Sequence, residues 1–274
     1  MSQLSLDSLF EAFDNLPAVV KQTPAIQPAP PVKTVSRMVT HDVARKQFIS
    51  VFSDTGRHLR RWDVFSDFIT LAASELDMAR IRTPENIERT RKICERYSTA
   101  DQENLKTLFC LLVCALEGKF QDFLGSVFME LELGSGDMGQ YFTPYSVQSL
   151  MARMLMPGVA ETISKEGWLT LSEPACGAAG MVIAYAECLL EAGFNPSEHM
   201  FVSCIDIDPI AADMAFIQLS LLGIAAEDTT GNALTLQLSR VRYTPVYYLN
   251  EWESRLNLRR QVDAMKRVLA RMAA

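Results

Sequence analysis

Four short segments concentrate residue types that can hold a small charged ligand. Glu173-Pro174-Ala175-Cys176-Gly177-Ala178-Ala179-Gly180 is a run of small residues between an apolar segment and a helical pattern. Small residues let backbone N–H groups approach a ligand closely, and the helix N-terminus that follows carries partial positive charge. That combination suits a carboxylate, while Glu173 is placed to accept from an ammonium group. The same loop also permits tight helix–strand packing. About thirty residues on, Cys204-Ile205-Asp206-Ile207-Asp208-Pro209 ends a second apolar segment, where an acidic side chain binds ribose hydroxyls. Asp206 is expected to face the ligand, whereas Asp208 serves equally as an N-cap before Pro209. Thr230-Gly231-Asn232-Ala233-Leu234 closes a third unit. The Asn232 amide oxygen suits the exocyclic amine of an adenine, or simply a turn. Upstream, Gly139-Gln140-Tyr141-Phe142-Thr143-Pro144 offers a hydroxyl at a helix start and two aromatics to cover a ligand, or an N-cap with core packing.

The elements that must position these residues alternate. Trp168–Ser172, Met200–Ile207 and a short run after Ala225 read as strands, and 179–192 and 209–222 as helices. That alternation predicts a parallel sheet with helices on its faces. A helix is predicted from Pro144 to about Met156, capped by Thr143, and a last one from about Asn250 to Met272. Before Gly134 the pattern is helical throughout, with Val64, Phe65, Phe68, Ile69 and then Leu108, Leu111, Leu112 and Ala115 at helical spacing. It predicts a bundle of about four helices. The first residues differ: Leu4, Leu9, Phe10, Phe13 and Leu16 fit one face of a short helix, and a proline-rich stretch follows. The expected division is a flexible arm over 1–45, a helical bundle over 46–133, a ligand-binding domain over 134–249 and an amphipathic helix over 250–274.

Nearly half of the 274 residues are apolar, enough for a substantial core. No apolar run is long enough to span a bilayer and no leader pattern opens the chain, so the expected compartment is the cytoplasm. Six scattered cysteines without a CxxC pair, and three distant histidines, predict reduced thiols and no metal site. The net charge of −7 argues against a strongly basic nucleic-acid-coating protein. Basic residues nevertheless gather from Arg240 onward. They form either a solvated helix face or a local contact to DNA.

Taken in order, GQYFTP, EPACGAAG, IDIDP and GNAL resemble the motifs of adenine-N6 DNA methyltransferases. The likeness is greatest to the modification subunits of type I restriction–modification systems and related mobile-element methylases, and it runs from about residue 50 to 238. It implies an α/β chain, in which a helical N-terminal bundle precedes a Rossmann-like S-adenosylmethionine methyltransferase domain with a parallel sheet. It implies S-adenosylmethionine as cofactor. Thr143 and Pro144 match the segment contacting the methionine moiety, and Glu173, Ala175, Gly177 and Gly180 match the cofactor loop. Asp206 matches the ribose ligand and Asn232 the adenine-edge ligand. With Tyr141, Phe142, Pro174, Cys176 and Ile207, these make up the expected site.

The chain departs from that pattern. Ala178-Ala179 stands for Ser-Gly, and Asn232 for the usual Asp. The catalytic tetrapeptide, Asn-Pro-Pro-aromatic, is absent. The nearest stretch, Tyr243-Thr-Pro-Val-Tyr-Tyr-Leu-Asn250, has the residue types in another order. The expectation is a truncated domain with no catalytic residue of its own, in which the sheet has an exposed edge covered by the final helix, a partner or a second copy. Two functions compete. One is a non-catalytic partner or decoy that modulates DNA methylation or restriction. The other is an active methyltransferase whose catalytic loop is unrecognised or supplied by another chain.

Overall fold

The computed structural model describes residues 40–133 and 142–272. The arm expected over 1–45 therefore lies outside the described residues except for its end, which is not an arm. Helix α1 spans His41–Asp54, because Ala44, Phe48 and Phe52 place a fully buried stripe on one face. Four more helices follow: α2 (Arg61–Leu76), α3 (Pro84–Cys94), α4 (Thr99–Gly118) and α5 (Phe123–Glu130). Side-chain caps fix three starts, with Thr83, Ser98 and Asp122 each accepting from a backbone N–H in the first turn. Phenylalanines fill the bundle. Phe48 meets Phe68 and Phe123 edge-on at 5.6 and 5.3 Å, and Phe65 packs on Phe128.

The second part runs α6 (Tyr145–Met154), α7 (Val159–Glu166), β1 (Leu169–Glu173), α8 (Gly180–Glu191), α9 (Pro196–His199), β2 (Met200–Asp206), α10 (Pro209–Leu221), β3 (Ala225–Asn232), β4 (Gln237–Tyr243), α11 (Pro245–Leu249) and α12 (Trp252–Met272). The sheet order is β1-β2-β3-β4. The first three strands are parallel and β4 is antiparallel to β3. Met200, Val202 and Cys204 of β2 pack with Val182, Ile183 and Leu189 of α8, burying one sheet face. Among the described residues, no helix is long and apolar enough to cross a membrane.

Three expectations need correcting. The sheet is not purely parallel, and a fourth strand covers the edge of β3. Ion pairing explains it: Arg240 and Arg242 of β4 reach Asp213 at 2.5 and 2.7 Å, and Arg242 reaches Asp228 at 2.7 Å. Both aspartates are about 1% exposed, so a strand without those cations would leave buried charge unpaired. Arg242 is buried in this network and Arg240 is partly exposed. The final helix covers no edge. Its first turns pack Trp252 against Trp168 and Phe201 on the second sheet face, while Leu258, Met265, Leu269 and Met272 are exposed. Thr143 is not the cap of α6; Pro144 holds that position and no side chain caps it.

Gln218 of α10 joins the two halves. It is fully buried; its Oε1 accepts from Leu124 N at 2.9 Å, and its Nε2 donates to Asp122 Oδ1 at 3.0 Å and to Ala178 O at 2.7 Å. Gln218→Leu strands the buried Leu124 N–H and Ala178 carbonyl, each costing roughly 1–3 kcal/mol, and leaves Asp122 Oδ1 with the bond from Gly125 N alone. The expected loss of stability by denaturant titration is about 3 kcal/mol or more, and a change under 1 kcal/mol contradicts this account. Burial pushes the Asp122 carboxyl up to about 6, against the bonds from Gln218 and Gly125. The folded state then binds its proton more tightly than the unfolded chain, so Asp122 lowers stability as pH rises from about 4 to about 6. Asp122→Asn keeps an oxygen acceptor and should flatten that slope in melting curves across this window. An unchanged slope would place the titration elsewhere.

Candidate functional site

A cleft of about 380 Å³ opens at the C-terminal ends of β1 and β2. Phe142, Thr143, Gln148 and Met151 line one side, Glu173 and residues 175–177 with Gly180 and Met181 the other, and Asp206 and Ala211 the end. The parallel strands set this geometry, since β1 and β2 in register bring Glu173 opposite Cys204 and put Asp206 beside the loop.

Asp206 shapes the loop as well as lining the cleft. Its Oδ2 accepts from Gly177 N at 2.8 Å and its Oδ1 from Asp208 N at 2.9 Å. A carboxylate has further lone pairs, so hydroxyl donors can still be accepted. Cys176 N donates to Ile205 O at 3.0 Å, closing the loop onto β2. The Cys176 thiol is held neutral by its contact with Cys204 and by burial. Gly177 has a φ of +53°, and a Cβ there would stand 2.8 Å from the Phe142 ring. Phe142 is in turn wedged edge-on against Phe128 of the bundle at 5.2 Å. Ala179 takes a left-handed φ of +67° at the entry to α8, in the place where the resembled family has glycine.

Charge in the cleft is negative. Burial first, and then the Asp206 charge, raise the Glu173 carboxyl above its ordinary range, while a bond from Ala175 N opposes them. Two acidic groups facing one cleft favour a cationic ligand. The far side is anchored by α6, whose Tyr145 hydroxyl donates to Glu187 of α8 at 2.8 Å and whose Arg153 pairs with Glu191 at 2.8 Å.

The structure thus brings Phe142, Thr143, Glu173, Ala175, Cys176, Gly177, Gly180 and Asp206 together. Pro144 and Pro174 adjoin the cleft in sequence and are exposed. Ile207, also exposed at 69%, is outside the lining. Tyr141 lies outside the described residues. Asn232 is not in the cleft wall, and its Oδ1 accepts from Leu234 N at 2.9 Å and Thr235 N at 3.1 Å. The amide oxygen expected to read an adenine amine makes a turn instead. Asp208 accepts from Ile210 N at 2.8 Å and caps α10. Among the described residues no cluster could hold a metal ion. Gln148 and Met151 were not anticipated.

Residues 126–245 match the family described as N-6 DNA methylase. This stretch of the chain is similar to that family over 120 residues. It contains the whole cleft and the sheet. A search of the curated proteins found no match. Among solved structures, a Listeria monocytogenes protein titled a class I S-adenosylmethionine-dependent methyltransferase aligns at 16% identity and a TM-score of 0.33. The alignment covers 67% of this chain and about half, 51%, of that one. At that TM-score the likeness carries no argument. In the N-6 DNA methylase stretch, Glu173 is expected to titrate above the ordinary carboxylate range, and to move down in Asp206→Asn. NMR titration of the side-chain carboxyl reads both, and an Asp206→Asn variant with Glu173 unmoved would separate the two groups.

Proposed function

We propose that the cleft binds S-adenosylmethionine, and that the chain serves DNA adenine-N6 methylation as a non-catalytic partner or modulator. The observation that carries the reading is the convergence of Thr143, Glu173, Gly177 and Asp206 on one acidic cleft within the N-6 DNA methylase stretch. Asp206 would receive the ribose hydroxyls, and Glu173 the ammonium group. The first turn of α8 and the Thr143 hydroxyl would meet the carboxylate. The bound cofactor supplies an electrophilic methyl group.

What favours a non-catalytic role is where the tail aromatics go. Base-modifying enzymes hold an extruded base by hydrogen bonds and stacking. Tyr247 stacks on Tyr243 at 4.2 Å and packs with Phe201 on the second sheet face. Asn250 donates to Ser197 O at 3.0 Å. None of Tyr243, Tyr247 and Asn250 lines the cleft. Exposed Arg260, Lys266, Arg267 and Arg271 of α12 remain available for DNA or for an acidic partner surface.

Calorimetry of the full chain should show saturable S-adenosylmethionine binding, weakened in Asp206→Ala by roughly 1–3 kcal/mol. Absence of binding at about millimolar cofactor, weaker than any ordinary cofactor affinity, would remove the reading. With labelled cofactor and mixed adenine-containing duplexes, the chain alone should transfer no methyl group. Transfer abolished by Tyr248→Ala or Asn250→Ala would instead establish an unfamiliar catalytic loop. Transfer that appears only with an added methyltransferase subunit, and survives those changes, would assign the chemistry to that subunit.

A further inference from the structure

Gln148 is the polar group in the cleft wall that neither the motifs nor the fold account for. It stands on α6, four residues after Pro144, and is 4% exposed. Its side chain lies over the first turn of α8, where the amide occupies the space that a Cβ on Gly180 would need. Its Oε1 is buried and has no hydrogen-bond partner among the described residues. A few other buried side-chain atoms share that state, but Asp228 and Arg242 belong to the ion-paired network on β4. The Gln148 side chain lines a cleft with room for a ligand.

An unpaired buried carbonyl is costly, and an apolar side chain of the same shape would avoid the cost. Its neighbours across the cleft are acceptors too, the carboxylates of Glu173 and Asp206. Three acceptors on one cleft select a ligand that brings several N–H donors and positive charge, and a primary ammonium does both. We infer that Gln148 Oε1 accepts a hydrogen bond from the α-ammonium group of the bound cofactor and makes the cleft selective for ligands that keep that group. The inference rests on the cofactor reading above. It assigns Gln148 as a specificity-determining contact, sharing the ammonium with Glu173.

The test pairs S-adenosylhomocysteine with its deaminated analogue, which differs in the α-amino group alone. Affinities are measured by calorimetry on the full chain, on Gln148→Leu and on Gln148→Glu. The unaltered chain should prefer the amino ligand. Gln148→Leu should weaken the amino ligand by about tenfold, the usual loss for one hydrogen bond to a charged group, and leave the deaminated ligand unchanged. Gln148→Glu should widen the preference. Equal effects on both ligands would make Gln148 a spacer and overturn the inference while leaving cofactor binding intact. So would an unaltered chain that binds the two alike. Binding of neither ligand by the unaltered chain would remove the cofactor reading and this inference together. If Gln148→Leu does not fold, Gln148→Glu decides, because an unchanged preference there also overturns the claim.

Discussion

The buried amide of Gln218 ties the ligand loop to the helical bundle. Its oxygen takes the Leu124 N–H at the start of α5, and its nitrogen serves both the Asp122 carboxylate and the Ala178 carbonyl. None of these groups can reach water, so the Leu124 N–H and the Ala178 carbonyl depend on Gln218 to remain paired, while Asp122 also accepts from Gly125 N. The loop between β1 and α8 is thereby fixed to a rigid helical wall instead of resting on the sheet alone. A second constraint acts from the other side. Phe142, wedged between Phe128 and Gly177, leaves the loop no room to move toward the bundle.

Within that frame Asp206 has two roles that are hard to separate. It accepts from Gly177 N and Asp208 N, so it holds the loop in the shape that makes a cleft. It also presents the lone pairs that remain to whatever enters. Loss of its carboxylate removes the loop's anchor and the ligand's partner together. Gln148 is a different kind of residue, since its side chain lines the cleft and its buried carbonyl has no partner among the described residues. The acidic cleft and the orphan carbonyl therefore point to the same ligand chemistry, a cation with N–H donors.

The residues legible in the sequence were those whose role follows from chain-local geometry. A small-residue loop before a helix and an acid at a strand end are written in consecutive residues, and the structure places Glu173, Gly177 and Asp206 around one cleft. Gln148 was not legible, because a lone polar residue on a helix reads as a solvated position until α8 is seen to cover it. The turn at Asn232 was an open alternative that only the backbone could decide. Strand β4 escaped notice for a physical reason: its arginines look like surface charge, and their partners Asp213 and Asp228 come from two other elements. The apolar stripe of α12 left open a cap for the sheet or a pairing with another helix; the packing on the sheet is made by Trp252 at its start, with Arg255 stacked over that ring at 3.8 Å.

The most direct measurement is backbone amide NMR of the full chain with and without S-adenosylmethionine. The cleft account predicts shifts confined to 142–151, 173–181 and 206–211, with Gly177 and Asp208 among the largest because their N–H groups are held by Asp206. Shifts centred on the second sheet face, around Thr170, Ser203 and Tyr243, would contradict it, as would a spectrum that saturating cofactor leaves unchanged.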